Sequence, residues 1–384
     1  MRGRSRDRVQ RSHEGIDREG NGRLVILLKN HTLEELLEQL APAGVPRFMA
    51  QKLQAAAVRE DRWLPGGAGL SPHLLAHVRS IAEIPRLTLL EKVVSPTDGF
   101  ARYVFRGEGP EPFEAVRIPL SSESGATHYA VCVSSQVGCG MGCVFCCTGR
   151  MGFRRNLSTW EIIDQVVRIR MDSPHPIRRI VFMGMGEPLL NYDAVMRAVG
   201  ILTESCGMAM SRKAITVSTS GIVPGIRRLT AEKNPPKLIV SLSCADPRRR
   251  GTLMPVENTW STGELMQAIR AYHEATKSLV TLAWTMIAGV NTTPGDARQL
   301  AELTRGLPFR LELIDVNDPS GRFRPPTQTE LDAFRDALRA EHIELVTRRT
   351  SGGIDIRAAC GLLAGGGDHD RNILERRRTV FGSS

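Results

Sequence analysis

The feature that most constrains the fold is a regular alternation of strand-like and helix-like segments over roughly the last two thirds of the chain. Short runs rich in Val and Ile alternate with segments of helical periodicity, several of which begin with Ser or Thr three residues before Glu. The predicted strands are 129–134, 179–183, 214–218, 237–243, 279–286 and 310–316, and the predicted helices are 158–171, 191–204, 222–233, 261–276, 295–305 and 327–340. Six such units imply a parallel sheet with right-handed crossovers. Because six units are fewer than the eight of a closed barrel, we predict an α/β fold built on an open, partial (β/α)6 barrel, with 343–347 as a candidate last strand.

Composition and periodicity divide the chain into five parts. We predict a disordered basic arm (1–23), a small helical N-terminal domain (24–86), a short antiparallel β extension (87–127), the partial barrel with a C-terminal cysteine loop (128–365) and a flexible tail (366–384). Thr32 and Glu35 form a capping pattern before an apolar helical run in the second part. In the third part the period shifts to two, which predicts strands at 87–94, 101–106 and 113–118.

Three cysteines after the first barrel strand form the pattern Cys-x3-Cys-x2-Cys, at Cys139, Cys143 and Cys146. Glycines separate them, so a short loop can bring three thiolates around one compact group. Thiolates favour iron–sulfur clusters, zinc or copper, and a fully protein-ligated zinc or cluster takes four protein ligands. Three ligands favour a [4Fe–4S] cluster in which one iron has no protein ligand. S-adenosylmethionine can chelate that open iron. The alternative is a zinc loop, or a ferredoxin-like site that borrows Cys147 or Cys132.

Polar and glycine residues collect where the predicted barrel strands end. In a barrel of parallel strands, functional residues lie on the loops that follow the strands. A Gly-Met-Gly-Glu-Pro run follows the second strand, Ser-Thr-Ser-Gly follows the third, and Ser-Leu-Ser ends the fourth. Such backbone amides, hydroxyls and a carboxylate suit the ammonium group and ribose of one ligand. The candidate ligand residues are Gly186, Glu187, Ser218, Ser241, Leu242, Ser243 and Asn317.

Another cysteine, Cys360, lies in the polar, glycine-flanked segment 351–361. A free cysteine is most often a small buried hydrophobe, and that interpretation fits Cys206 and Cys244. For Cys360, the context leaves both a buried side chain and a reactive thiol open.

The charge and composition limit the partners. The chain has 51 basic and 41 acidic residues, a net charge of +10, which favours a polyanionic partner such as nucleic acid. Arginine clusters at 248–250, 322/324 and 348/349 are candidate RNA contacts, with simple surface solvation as the alternative. No apolar run approaches the roughly 20 residues of a membrane span, and no signal segment is recognisable. We therefore expect a reducing cytoplasmic location and no membrane partner.

Five motifs occur along the chain in a fixed order. They are CVSSQVGCxxxCxFC at 132–146, GMGEPL at 184–189, TVSTSG at 216–221, SL at 241–242 and DIxAACG at 355–361. Together they resemble the RlmN/Cfr group of radical-SAM RNA methyltransferases over about 114–361. The resemblance implies a radical-SAM partial barrel, one [4Fe–4S] cluster per chain and S-adenosylmethionine as cofactor.

The resemblance also implies residue roles. The three loop cysteines would hold the cluster, and the seven strand-end residues would hold S-adenosylmethionine. Cys360 would be methylated first, and a radical from a second S-adenosylmethionine would activate that methyl for addition to an adenine carbon, C2 in preference to C8. Glu114 would accept the ring proton, and Cys132 would resolve the adduct through a transient disulfide, which completes a ping-pong mechanism. The implied partners are ribosomal or transfer RNA and a reductant such as flavodoxin or ferredoxin, with the protein acting as a monomer.

Four features depart from the group. Ser243 stands where the group usually has His, the loop 246–258 is unlike the common version, Asn317 is followed by Asp318-Pro319, and the first 90 or so residues match poorly. The motifs therefore leave the identity of the RNA open. One alternative is a radical-SAM enzyme that acts on a protein or peptide, although such an enzyme has no use for the pair Cys132 and Cys360. The other is a non-enzymatic, basic RNA-binding protein with a structural zinc.

Overall fold

The computed structural model describes residues 19–20, 23–66, 71–121, 127–349 and 351–364. The predicted flexible tail lies outside the described residues, as does the predicted basic arm except for 19–20 and 23. Within that arm, strand β1 (Glu19–Gly20) pairs antiparallel with β2 (Arg23–Leu24), where the sequence predicts no regular structure.

A small, mainly helical region follows. It contains β3 (Ile26–Leu27), α1 (Leu33–Leu40), α2 (Arg47–Glu60), α3 (Pro72–Ile81) and β4 (Ala82–Glu83), and β3 pairs parallel with β4. The predicted cap of α1 is confirmed, because the Thr32 side chain accepts a hydrogen bond from Glu35 N and the Glu35 carboxylate accepts one from Thr32 N at 2.8 Å. Leu36, Leu40 and Met49 belong to a core cluster that is separate from the barrel core. The two short strands were not predicted, since two residues carry no readable period.

A buried ion-pair network fixes this helical region to the barrel. The Lys29 ammonium, fully buried, lies 2.6 Å from a carboxylate oxygen of Asp61 and 2.5 Å from one of Asp164. Asp164 is on the first long barrel helix, and its other oxygen accepts a hydrogen bond from Leu87 N at 2.7 Å. The network therefore joins the helical region, the barrel and the start of the β extension at one point.

The β extension and the barrel form one continuous sheet. Its strands are β5 (Thr88–Val94), β6 (Ala101–Arg106), β7 (Phe113–Ser121), β8 (Thr127–Cys132), β11 (Ile177–Phe182), β12 (Ile215–Thr219), β13 (Lys237–Ser241), β14 (Val280–Met286), β15 (Phe309–Asp315) and β16 (Val346–Arg349), and a separate hairpin pairs β9 (Gln136–Gly138) with β10 (Phe153–Asn156). In the described residues the sheet order is β16-β15-β14-β13-β12-β11-β8-β7-β6-β5. Pairing is antiparallel from β5 to β8 and parallel from β8 to β16. The carboxyl ends of the parallel strands thus share one edge of the sheet.

The barrel helices fall close to their predicted positions. They are α4 (Cys147–Met151), α5 (Thr159–Met171), α6 (Tyr192–Thr203), α7 (Val223–Thr230), α8 (Pro247–Leu253), α9 (Thr262–Thr276), α10 (Pro294–Thr304) and α11 (Gln328–Ala340). The predicted capping boxes at the starts of α5, α9 and α11 are all present. The short helices α4 and α8 were missed because neither is long enough to show an apolar period.

The last strand also differs from the prediction. β16 is Val346–Arg349, three residues later than the predicted start of 343–347. Ile343 instead ends the preceding helical turn, where its N–H donates to Leu338 O at 2.9 Å, and its side chain is buried in the barrel core. An apolar residue at the end of a helix was therefore mistaken for the first residue of a strand.

Among the described residues, no helix combines the length and apolar character required to cross a membrane.

Candidate active site at the barrel mouth

The cysteine loop leaves the sheet directly after β8. Cys132, the last residue of that strand, is buried, and the chain then turns through β9 into the loop. Gly138 has φ +70°, and a Cβ at this position would lie 1.9 Å from Gly152 O, so only glycine fits. Cys139 N donates to that same carbonyl at 3.0 Å. The hairpin of β9 and β10 therefore holds the start of the loop in a fixed conformation.

The three loop thiols lie near one another. Burial raises the pKa of Cys139 to about 12, and burial followed by the charges of Cys146 and Cys139 raises the pKa of Cys143. Burial also raises the pKa of Cys146, although hydrogen bonds from the backbone N–H groups of Gly149 and Thr148 act to lower it. One buried and two half-buried thiols whose pKa values are all raised suit a cationic centre, because metal coordination deprotonates a thiol.

The chemistry of this donor set fits a cluster held by thiolates. Cys139, Cys143 and Cys146 are all free of disulfides. In the described residues, no group of three or more His, Cys, Asp or Glu side chains is close enough to enclose a single metal ion. The fit to a cluster therefore depends on the type and loop spacing of the ligands.

Gly186 and Glu187 follow β11 and connect two strand-end loops. Gly186 has φ +99°, and a Cβ there would lie 2.5 Å from the Gln136 Cβ. The buried Glu187 carboxylate accepts hydrogen bonds from Ser220 N at 2.7 Å, Ser220 Oγ at 2.8 Å and Leu189 N at 3.1 Å. Burial raises the pKa of Glu187 despite these donors. In this structure Glu187 joins the β11 and β12 loops, and its predicted role as a ligand of S-adenosylmethionine stays a prediction.

The serines at the next strand ends differ in environment. Ser218 and Ser241 are partly exposed at the ends of β12 and β13. Ser243 is buried with φ +54°, its hydroxyl accepts a bond from Thr285 N at 3.3 Å, and its carbonyl accepts one from Asn291 Nδ2 at 2.6 Å. The Ser243 hydroxyl thus has a partner on β14 in this structure, whereas Ser218 and Ser241 lie at the edge where a ligand could reach them.

Arg250 corrects one prediction. It was a candidate RNA contact, but its side chain is fully buried. Its guanidinium forms an ion pair with Glu257 at 2.6 Å and donates to Leu242 O at 3.2 Å and to Ser220 O at 2.7 Å. The side chain is buried because one planar fork satisfies a carboxylate and two loop carbonyls at once. Arg250 therefore positions the β12 and β13 loops, and no RNA can reach it.

Arg250→Lys should lower the free energy of unfolding by about 1–3 kcal/mol, because a single ammonium cannot replace all three bonds of the fork. Urea unfolding measures the change. The matched control is Arg248→Lys on the exposed face of the same helix, for which we expect a change within about 0.5 kcal/mol. Equal stabilities of the two variants would contradict this assignment.

Several of the other arginines predicted to contact RNA have acidic partners. The pairs are Arg249 with Asp296 at 2.7 Å, Arg324 with Glu330 at 2.7 Å, Arg348 with Asp315 at 2.8 Å and Arg349 with Glu312 at 2.9 Å. Arg248 and Arg322 are exposed and stay candidate RNA contacts.

The C-terminal segment 351–364 lies against the cysteine loop. Asn317, after β15, donates from Nδ2 to Ser351 Oγ at 3.0 Å and to Cys360 O at 3.1 Å. Cys147 N donates to Gly361 O at 2.7 Å. The Cys360 side chain is exposed. The segment thus presents Cys360 at the mouth of the barrel, and Asn317, a predicted ligand of S-adenosylmethionine, holds that segment in this structure.

Cys132 and Cys360 come from distant parts of the chain and lie close enough at this mouth for the charge of one to act on the other. Burial, then the charge of Cys360, raises the pKa of Cys132 to about 12, while the Arg349 cation acts to lower it. The Arg349 side chain hydrogen-bonds Cys360 and also contacts Met183 Sδ at 3.1 Å and Glu312. Sequence reasoning missed this role of Arg349. The available signal was its position at the carboxyl end of the last strand.

Glu114 belongs to β7 of the extension, beside the end of the same segment. Its carboxylate is buried, forms an ion pair with Arg102 at 2.9 Å and accepts a hydrogen bond from Ala364 N at 3.1 Å. Ser134, two residues after Cys132, donates from Oγ to Glu114 O. The predicted proton acceptor thus borders the Cys360 segment, and its two oxygens are occupied by the protein's own groups.

Known proteins share this arrangement of fold and motifs. Residues 133–303 match the Radical SAM superfamily. A probable RNA methyltransferase of Myxococcus xanthus is 42% identical over 347 residues, which cover 88% of this chain and 94% of that protein. The dual-specificity RNA methyltransferase RlmN of Syntrophobacter fumaroxidans is 39% identical over 342 residues, with 88% and 98% covered.

A solved structure gives the same result. The crystal structure of a radical SAM methyltransferase from Sphaerobacter thermophilus superposes with a TM-score of 0.80 at 38% identity, and covers 88% of this chain and 99% of that one. These likenesses confirm the predicted radical-SAM fold class.

Proposed function

Since this chain belongs to the RlmN group of radical-SAM RNA methyltransferases, we propose that it methylates a ring carbon of an adenine in ribosomal or transfer RNA, C2 in preference to C8. The proposal is supported by the placement of the Cys360 segment against the cysteine loop, where the charge of Cys360 acts on Cys132. An adenine C2 or C8 has no lone pair with which to attack a sulfonium methyl. Its methylation therefore needs a methyl carrier and a resolving thiol, for which a radical-SAM enzyme acting on a peptide has no use.

The cofactors follow from the donor groups at the mouth. Cys139, Cys143 and Cys146 would hold a [4Fe–4S] cluster. The residues assigned to S-adenosylmethionine are Gly186, Glu187, Ser218, Ser241, Leu242, Ser243 and Asn317. When bound, the cluster and S-adenosylmethionine supply a 5′-deoxyadenosyl radical. The protein's part is to position the reacting groups and to exclude water.

Cys360 is suited to carry the methyl group. Its exposed sulfur can accept a methyl group by ordinary displacement. The resulting thioether then faces an adenine that enters the mouth of the barrel. Cys132 lies buried behind it, where the thiol resists ionisation. As thiolate, Cys132 attacks the Cys360 sulfur; the S–S bond forms as the bond between sulfur and the RNA-bound carbon breaks. Arg349 hydrogen-bonds Cys360, and its charge acts to lower the pKa of Cys132, so this cation favours the thiolate.

Glu114 is the proposed acceptor of the adenine ring proton. It now pairs with Arg102 and Ala364 N. Displacement of Ala364 N would free one carboxylate oxygen for the ring proton. The proposed base therefore contacts the same segment that carries the proposed methyl carrier.

The net charge of +10 supports a polyanionic substrate, and exposed Arg248 and Arg322 are the proposed phosphate contacts. A flavodoxin or ferredoxin reductant, a monomeric state and a cytoplasmic location stay predictions.

Nucleoside mass spectrometry of RNA from cells with and without this protein tests the function. We expect a methyladenosine that disappears with the protein and returns with the wild-type gene. Anaerobically reconstituted enzyme should also carry a methyl group on Cys360, detected in the digested protein. The control variant is Cys206→Ala, which lies in the separate N-terminal core and should restore the modification. Identical RNA in both strains, or active enzyme with an unmethylated Cys360, would overturn the proposal.

A further inference from the structure

The antiparallel extension contacts the Cys360 segment at a second place, remote from Glu114. This contact is the turn 95–100, which joins β5 to β6. The turn lies outside all five sequence motifs. Its side chains nevertheless make direct hydrogen bonds to the segment that carries Cys360.

The hydrogen bonds form a two-point clamp. Asp98 Oδ2 accepts from Gly353 N at 2.6 Å, and Asp98 Oδ1 accepts from Phe100 N at 3.2 Å. Ser95, which is buried, donates from Oγ to Asp355 Oδ2 at 2.9 Å. The turn thus offers an acceptor to the backbone of the segment and a donor to its side chain.

Steric fit reinforces the clamp. The Phe100 ring lies against Gly352 and Gly353; a Cβ at Gly352 would be 2.3 Å from that ring, and one at Gly353 would be 3.0 Å from the Phe100 Cβ. Gly353 also has φ +68°. Its carbonyl accepts from Ala358 N at 2.7 Å, which closes a tight turn two residues before Cys360. Because this hydrogen bond closes the turn, a displacement of the backbone at Gly353 would also displace Cys360.

The charge of Asp98 strengthens its bond. Burial alone would raise the pKa of Asp98, but the hydrogen bonds from Gly353 N and Phe100 N keep the pKa below its usual range. The carboxylate is therefore ionised at neutral pH, and a hydrogen bond to a charged acceptor is stronger than one between neutral groups.

We propose that Asp98, assisted by Ser95, is a positioning residue that fixes the Cys360 segment at the barrel mouth, so that the β extension acts as the platform for the methyl-carrying cysteine. The proposal rests on the function proposed above for Cys360. One sulfur has to meet S-adenosylmethionine, an adenine and Cys132 in turn, and positional precision of this kind governs rate. A segment without helix or strand hydrogen bonds of its own lacks that precision unless other elements hold it.

Amide hydrogen exchange on the full-length protein tests the clamp without any requirement for activity. Asp98→Ala removes both acceptors, so we expect exchange of the amides in 353–360 to accelerate at least about tenfold, with the barrel amides unchanged. Asp98→Asn keeps an acceptor oxygen and should stay within about threefold of wild type. The control is Asp336→Ala, which removes an ion pair with Arg339 on the exposed face of α11.

Single-turnover methylation of Cys360 in the reconstituted enzyme tests what the clamp is used for. The rate should fall at least about tenfold in Asp98→Ala and recover in Asp98→Asn, at saturating S-adenosylmethionine. Unchanged exchange in Asp98→Ala would overturn the proposal, as would faster exchange with unchanged methylation. If the wild type transfers no methyl to Cys360, the proposed function fails, and the exchange result still decides whether Asp98 holds the segment.

Discussion

Cys132→Ala should leave the protein covalently joined to its RNA. In the proposed mechanism, the product stays attached to Cys360 through the newly bonded carbon until a second thiolate attacks the Cys360 sulfur. Cys132 is the thiol whose pKa responds to the charge of Cys360. Without it, each molecule can complete the addition but not the release. Turnover should fall at least about a thousandfold, the scale expected when a nucleophile is removed.

The adduct is measured on a denaturing gel with labelled RNA after anaerobic incubation of the variant with both cofactors and a reductant. We expect one RNA per protein chain in Cys132→Ala and none in Cys132→Ala/Cys360→Ala. Cys206→Ala, a cysteine of the N-terminal core, should turn over and release its RNA. Free methylated RNA from Cys132→Ala at the wild-type rate would exclude Cys132 as the resolving thiol.

Much of the fold could be predicted because its signals are local. The caps at Thr32, Ser158, Ser261 and Thr327 each need only residues three positions apart, and every one of them is present. The barrel strands could be predicted in the same way, because short runs rich in Val and Ile alternate with segments of helical periodicity. The errors occur where an element is too short for a period, as in α4, α8 and the hairpin of β9 and β10.

The site could be predicted only as far as its motifs extend. Arg250 appeared solvent-exposed within a run of three arginines, but its partners Ser220 and Leu242 lie on two strand-end loops and Glu257 lies in a short helical turn. Burial of an arginine depends on such non-local acceptors, and a single sequence does not display them. For the same reason the link between Asp98 and Gly353, 255 residues apart, has no sequence signal.

Lys29→Met should destabilise the protein by about 3–5 kcal/mol at neutral pH, because it leaves the buried carboxylates of Asp61 and Asp164 without their shared cation. Burial raises the pKa of Asp61, but hydrogen bonds from Lys29 and Arg86 outweigh burial and keep it low in the wild type. In the wild type, the ion pair of Asp61 therefore contributes its full stability at every pH above the ordinary aspartate pKa. This contribution is lost only as the pH falls through the lowered pKa of Asp61.

In the variant the pH dependence should weaken. With Lys29 gone, Asp61 loses its strongest pKa-lowering partner but keeps Arg86 at 2.9 Å, so the stability difference between the variant and the wild type should narrow as the pH falls from 7.5 to 4. Urea unfolding at both pH values measures this, with the exposed Lys233→Met as control. Lys29→Met/Asp164→Asn should recover part of the loss, since it removes one uncompensated charge. A loss below about 1 kcal/mol at pH 7.5 would show that the network does not hold the helical region to the barrel.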